Sequence, residues 1–331
     1  VEDAREDSLR PVYESAEFPS LDNCMPDRSI FAGKNYGPMG LVQFSRGCRF
    51  NCSFCSIRAF YKNSLRQRPV EDVVEDIRRS GRRHIFLVDD NLFVDVETTR
   101  ALFEALVPLN ISWSCQVSID IARDADLVRL MRRSGCISAL IGFESLDIDS
   151  LRELKKHWNT KWQSYDDAIR VFRDAGIMLY GTFVFGCDND TVSSFDKSVK
   201  FALRNKFLLA NFNPLTPTPG APLFEQMKKE GRLLHERWWL EPDFGYGDAT
   251  FEPRGMSARE LTSGCFSSRK KFNTAHSIMR RMLDVRANLR TPYRAGIYLA
   301  ANLLSRREIH RKQGRRLGST DYQPTQPELR P

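Results

Sequence analysis

From Gly40 to Glu230 short apolar runs alternate with longer amphipathic ones at a period of roughly thirty residues, and this alternation restricts the fold more than any other feature. The apolar runs are Leu41–Ser45, His84–Asp90, Ile111–Val117, Ile137–Glu144, Met178–Gly186 and Phe207–Leu215. Between and after them, Val70–Arg79, Thr98–Leu106, Ala125–Arg133, Tyr165–Ala175, Ser193–Leu203 and Pro222–Glu230 carry apolar residues at helical spacing. Six near-continuous apolar strands separated by helices predict an α/β chain with a parallel sheet covered by helices. Six units are too few for a closed eight-stranded barrel, which leaves an open doubly wound sheet or a partial barrel.

Both architectures put functional residues at the C-terminal ends of the strands. Polar side chains collect there: Arg46 before a cysteine-rich loop, Asp89-Asp90-Asn91, Gln116 and Ser118, Glu144-Ser145, and Asp188 after Gly186. The sixth strand runs through Asn211 and Asn213 into Thr216 and the Pro217–Pro222 turn. Any one of these can be a plain strand boundary, but together they predict a common mouth.

Residues 1–39 lack periodicity and are broken by Pro and Gly, as expected of a connector. Residues 231–331 lose the alternation and form a C-terminal extension, aromatic- and Pro-rich at first and mostly helical from 256 to 312. The chain does not begin with Met, so residue 1 is treated as a possible cut point. No apolar run reaches the ~18–20 residues of a membrane span, and there is no secretory pattern.

Of eight cysteines, three fall within Cys48-Arg49-Phe50-Asn51-Cys52-Ser53-Phe54-Cys55. With no export signal, clustered cysteines point to metal binding in a cytoplasmic chain rather than to disulfides. Three thiolates can ligate three irons of a cubane and leave the fourth iron open to a small molecule. Zinc is the rival, but a structural zinc site needs four ligands; no second cysteine pair is present and the nearest histidine is His84.

This CxxxCxxC loop, directly after a first strand and with an aromatic before its last cysteine, resembles the signature of the radical S-adenosylmethionine (SAM) superfamily. The resemblance covers residues 40–230 and implies a (β/α)6 partial TIM barrel. It implies that Cys48, Cys52 and Cys55 are the catalytic [4Fe–4S] ligands, and that the open iron binds SAM and splits it to a 5′-deoxyadenosyl radical that takes hydrogen from substrate. By the same resemblance Phe54 lies beside the adenine, and Asp89, Asp90 and Asn91 stand where the family has a Gly-Gly-Glu-like stretch around the SAM amino group. Glu144 and Ser145 match contacts to the ribose and methionine parts. The strand ending at Gly186 and the turn starting at Pro217 match positions lining the adenine, and Gln116 joins this cofactor-binding set. The stretches LVQFSRGCRFNCSFC, FLVDDN, IGFESLD, GTFVFGCDND and NPLTPTPGAPLF are similar to cobalamin-binding-type radical SAM proteins. Those proteins commonly carry a cobalamin domain before the barrel, which residues 1–39 are too short to form; cobalamin is therefore expected as a cofactor only with an upstream domain.

Two enzymatic outcomes follow from the resemblance: methylation of an unreactive carbon, or a cobalamin-independent rearrangement, oxidation or ring closure. A non-enzymatic iron–sulfur or zinc module binding nucleic acid is the third reading, and the missing fourth cysteine argues against it. The expected partners are a small-molecule or lipid substrate and a reductant such as flavodoxin or ferredoxin, with no nucleic acid. The net charge is +8, concentrated near Arg306, Arg307, Arg311, Lys312, Arg315 and Arg316. Such a run is ordinarily a solvated tail; its position after the apolar stretch 297–304 adds the alternative of contact with a membrane surface.

Overall fold

The computed structural model describes residues 2–13, 17–62, 64–161 and 164–317. Eight strands are formed: β1 (Met39–Val42), β2 (Ser45–Gly47), β3 (Leu65–Gln67), β4 (His84–Leu87), β5 (Ser112–Gln116), β6 (Cys136–Glu144), β7 (Met178–Phe185) and β8 (Leu209–Pro214). Six of them make one sheet in the order β1-β4-β5-β6-β7-β8, and every pair in it is parallel. Sheet order thus follows chain order, as in an unclosed (β/α)6 barrel, with β1 and β8 at the two edges.

The crossing helices start where the sequence supplies caps. Asp95, Asp124 and Ser164 each accept a backbone N–H at the start of Val96–Leu106, Ala125–Arg133 and Tyr165–Ala175, and Gly176 in the left-handed region ends the last of these. Their apolar faces pack on one face of the sheet in a single core containing Ile77, Phe103, Met131 and Phe172 together with Leu87, Trp113, Ile141, Phe183 and Phe212.

The strands are not buried on both faces, as their apolar runs suggest. β6, β7 and β8 alternate buried and half-buried positions. The half-buried set, Leu140, Gly142, Thr182, Val184, Asn211 and Asn213 among them, occupies the other face, which the helices do not cover. That alternation is expected of a sheet whose second face lines an interior.

The first apolar run also divides. β1 stops at Val42, and Ser45–Gly47 turns out of the sheet to pair antiparallel with Leu65–Gln67. The His84–Asp90 run stops pairing at Leu87, because Asp89 is drawn into that turn as described below.

After β8 the helices Pro222–Lys229, Ala258–Phe272, Ala275–Met282 and Pro292–Lys312 follow. Ala258–Phe272 packs on β8 and on Val192–Arg204. Arg281 is fully buried, and its guanidinium donates to the carbonyls of Phe207, Leu208 and Phe272 and to Asn302 Oδ1 at 2.7–3.1 Å, tying the last helices to the start of β8. Among the described residues before β1 only Glu2–Arg5 and Arg28–Phe31 are helical; Arg28 Nε meets the buried Asp76 carboxylate at 2.7 Å and moors this segment. In Pro292–Lys312, Tyr298 and Asn302 face the core while Leu303 and Leu304 are exposed beside Arg306 and Arg307. Arg311 and Lys312 both pair with Glu308, and residues 318–331 lie outside the described set. Among the described residues no helix is long and apolar enough to cross a membrane.

Candidate functional site

The cysteine loop is bracketed by the β2–β3 ribbon at the C-terminal end of the sheet. At Gly47 φ is +91°, and a Cβ there would lie 2.0 Å from the Ser64 carbonyl oxygen, so the ribbon closes only over glycine. The Asp89 carboxylate accepts from the backbone N–H groups of Phe44 and Ser45 and, at 2.7 Å, from the Ser45 hydroxyl. Burial nevertheless pushes it up to about 6, because those hydrogen bonds do not make up for lost hydration. On the far side Ser53 N–H donates to the Leu154 carbonyl at 3.1 Å, the Ser53 hydroxyl donates to the Glu153 carbonyl at 3.2 Å, and Leu223 N–H donates to the Ser53 carbonyl at 2.9 Å. Segments distant in sequence thus hold the loop over the strand ends.

Cys48, Cys52 and Cys55 line one cavity of about 160 Å³. Burial pushes the Cys52 thiol up to about 12 and raises Cys48 as well, and the neighbouring thiols push in the same direction. The three sulfurs are therefore close enough to feel one another, and Cys48 and Cys52 stay protonated unless a cation joins them. Among the described residues no three His, Cys, Asp or Glu side chains converge on a single-ion site. No histidine and no fourth cysteine lines the cavity. The donor set fits a three-thiolate cluster with one open corner.

Around the thiols the cavity gathers Phe54, Asp90, Asn91, Gln116 and Glu144. Asp90 accepts from Gly47 N–H at 3.0 Å and Gln116 donates to the Asp90 carbonyl at 2.9 Å. Asn91 accepts from Ser118 N–H at 2.9 Å and donates to the Phe93 carbonyl at 3.2 Å. Glu144 has φ of +62° next to an irregularity in the β6–β7 register. Its carboxylate accepts from Lys156 Nζ at 2.7 Å, with both side chains about one-tenth exposed. Asn159 donates to the carbonyls of Gly142 and Phe143 at 3.1 and 3.2 Å and holds this kink from below. Lys156 keeps its charge although burial opposes it, because Glu144 and Cys52 favour the ammonium.

Four other expected cofactor residues line neither the thiol cavity nor the larger cavity beside it. Asp89 lies behind the loop, committed to Ser45. Ser145 is buried and accepts from Asp147 N–H at 3.0 Å, starting the next helix. Gly186, with φ of +111°, donates to Asp190 at 3.0 Å and passes close under Phe251 and Leu261 of the extension. Pro217 is buried, and its neighbours Thr216 and Thr218 face a second cavity instead.

That second cavity, about 490 Å³, shares Phe54 and Cys55 with the first. Its walls include Val184, Leu215, Trp238, Phe244 and Tyr246. Arg269 also lines it, buried, donating to Gln313 Oε1 at 2.8 Å and standing 5.9 Å from the Tyr246 ring centroid. Among the described residues no carboxylate lies within ion-pair distance of Arg269.

The motif gave no sign of Lys156, Trp158 or Phe50. Trp158 stacks on Phe50 at 3.6 Å between centroids, and both line the thiol cavity. Arg49, paired with Asp120, stands 4.6 Å from the Phe93 centroid. An aromatic inside the cysteine loop was the one available signal, and it indicates packing, not a partner.

A family model described as the Radical SAM superfamily matches residues 42–202. Bacteriochlorophyllide d C-12(1)-methyltransferase of Chlorobaculum tepidum is 28% identical over 285 residues, 83% of this chain and 61% of the relative. Anaerobic magnesium-protoporphyrin IX monomethyl ester cyclase of Cereibacter sphaeroides is 25% identical over 279 residues, 79% of this chain and 44% of the relative. The chain thus spans about half the length of these curated relatives. The radical S-adenosylmethionine methyltransferase TsrM of Kitasatospora setae, solved with cobalamin and a [4Fe–4S] cluster, superimposes with a TM-score of 0.53 at 16% identity, over 68% of this chain and 43% of that one; at that identity the likeness is one of fold.

Proposed function

Because a radical SAM superfamily model matches residues 42–202, we propose that the chain is a radical SAM enzyme that reductively cleaves SAM and that the resulting radical chemistry methylates an unreactive carbon of an apolar, acidic small molecule. The observation that carries this reading is the grouping of Cys48, Cys52 and Cys55 in one cavity with no fourth thiol or imidazole on its walls. These three residues would hold a [4Fe–4S] cluster. Bound there, the cluster would supply the electron that splits the sulfonium of SAM to methionine and a 5′-deoxyadenosyl radical.

The chain's own residues have separable tasks. Asp90 and Asn91 present oxygens suited to the SAM ammonium. Phe54 stands between the two cavities and offers a face to the adenine. The Glu144–Lys156 pair sets the charge beside Cys52. The aromatic cavity takes the body of the substrate, and Arg269 takes its acidic group. The working barrel runs from 40 to 230, preceded by a connector and followed by an extension that walls the substrate cavity.

Methylation is preferred over cyclisation because the relative sharing most of its length with this chain carries a methyltransferase name. Cobalamin use belongs to this reading only through a domain outside residues 1–331. A flavodoxin or ferredoxin would supply electrons, and exposed Leu303 and Leu304 beside Arg306 and Arg307 would rest on a membrane surface.

The test is anaerobic reconstitution with iron and sulfide. The expected result is about four irons per chain, the count of the cluster, a cluster signal altered by SAM, and 5′-deoxyadenosine after reduction. Cys52→Ala is expected to abolish all three. A cluster indifferent to SAM would overturn the reading.

A further inference from the structure

A third cavity, of about 270 Å³, lies at the opposite end of the sheet, where β5 and β6 begin. Arg132, Arg133 and Arg294 line it, with Thr291 and Ser112. Arg294 is 2% exposed; one guanidinium nitrogen donates to the Ile137 carbonyl at 2.8 Å, while Nε and Nη1 have no partner. Arg132 reaches the Cys136 carbonyl at 3.4 Å, and its Nε too is buried without a partner. Arg290 stands close by and opposes the charge of both. Among the described residues none of these four arginines lies within ion-pair distance of a carboxylate, whereas Arg28, Arg68, Arg100, Arg173 and Arg286 each do.

Buried donors are normally satisfied, and a buried charge without a counter-ion is costly. Here three orphaned guanidinium nitrogens belong to two cations that repel one another. A third, independent positive contribution comes from the helix Pro292–Lys312, whose first turn opens on the cavity with Thr291 as its cap. Nothing in the thiol cavity, at the far end of the strands, accounts for this concentration of charge.

We propose that this cavity is a binding site for a phosphate group. Arg132 and Arg133 at the wall make the charge-assisted contacts, Thr291 and the helix start complete them, and the anion neutralises Arg294 behind. A tetrahedral dianion matches several convergent donors better than one carboxylate does. The volume admits a phosphate or a short phosphomonoester, so any larger body projects into solvent. The group can be a soluble phosphate or the head group of an anionic phospholipid; the chemistry at the arginines is the same.

The full-length, cluster-loaded chain is titrated with inorganic phosphate against chloride at matched ionic strength, following heat of binding and melting temperature. Saturable binding is expected, weakened at least about tenfold in the Arg132→Gln/Arg133→Gln double variant and unchanged in Arg259→Gln, which removes an exposed charge elsewhere. Arg133→Lys, which keeps the charge, is expected to bind more tightly than Arg133→Gln. Flotation with phosphatidic acid vesicles separates the two sources. Vesicle binding that free phosphate displaces and the double variant lacks assigns the head group; phosphate binding without it assigns a soluble ligand. The proposal fails if phosphate binds no better than chloride, or if Arg259→Gln weakens binding as much as the double variant does.

Discussion

Lys156→Met should be among the most damaging single changes near the thiol cavity, and the reason can be worked from the Glu144–Lys156 pair. At 2.7 Å and an effective dielectric of about 20, the attraction is roughly 6 kcal/mol. Much of it is offset by the desolvation of two charges that are each about one-tenth exposed, so the intact pair contributes little net stability. Removing one partner differs, because the desolvation of the survivor remains while the attraction is gone. Glu144 is fixed by its +62° φ and by Asn159 beneath it, and it cannot swing out to water. The expected loss for Lys156→Met is about 3–5 kcal/mol, and the Glu144→Gln/Lys156→Met double variant should recover most of it. Urea denaturation of the cluster-free chain under reducing, anaerobic conditions measures Lys156→Met, Glu144→Gln and the double variant. A single-variant loss below about 1 kcal/mol, or a double variant whose loss equals the sum of the singles, would refute the reasoning.

Asp89 gives a pH prediction. Its folded value is raised above the ordinary 3.8 to about 6, so the folded state retains a proton that the unfolded state has already released. Stability should therefore fall as pH rises from about 4 to 6, by on the order of 3 kcal/mol, and Asp89→Asn should flatten that slope; a slope unchanged in the variant would count against the assignment. Gly47→Ala forces a Cβ onto the Ser64 carbonyl and should cost about 1–3 kcal/mol while lowering iron retention after reconstitution; full retention would show that the ribbon does not hold the loop. Arg281→Met strips donors from three buried carbonyls and Asn302 and should cost about 3 kcal/mol or more in urea denaturation. Arg269→Gln should raise KM for an acidic substrate more than it lowers kcat, with 5′-deoxyadenosine formation in the absence of substrate unchanged; an equal effect on all three would place Arg269 in scaffolding.

Much of the barrel is legible in the sequence because its signals are local. Ala125–Arg133 and Tyr165–Ala175 fall on the expected residues, since the apolar period and the capping Asp124 and Ser164 agree. The three loop cysteines are legible for the same reason, falling within eight consecutive residues. The β2–β3 ribbon leaves no pattern, because three-residue strands are shorter than any period that could reveal them. Asp89, Asp90 and Asn91 read as one acidic edge, yet a strand that ends at Leu87 sends Asp89 behind the loop and its neighbours into the cavity. Lys156 is invisible because only the kink at Glu144 brings it to Cys52, and kinks depend on packing. The arginine cavity joins the start of β6 to a helix far along the chain, a meeting that neither segment announces.

The three cysteines are neighbours in the chain, yet their loop is fastened at Ser53 by Leu154 and Leu223. A ribosome would have to deliver residue 223 before that clasp could shut, well past the point where the family match ends at 202. Metal delivery to this chain therefore belongs after synthesis of the whole barrel. A fragment ending near 200 would carry all three loop thiols and still lose its iron.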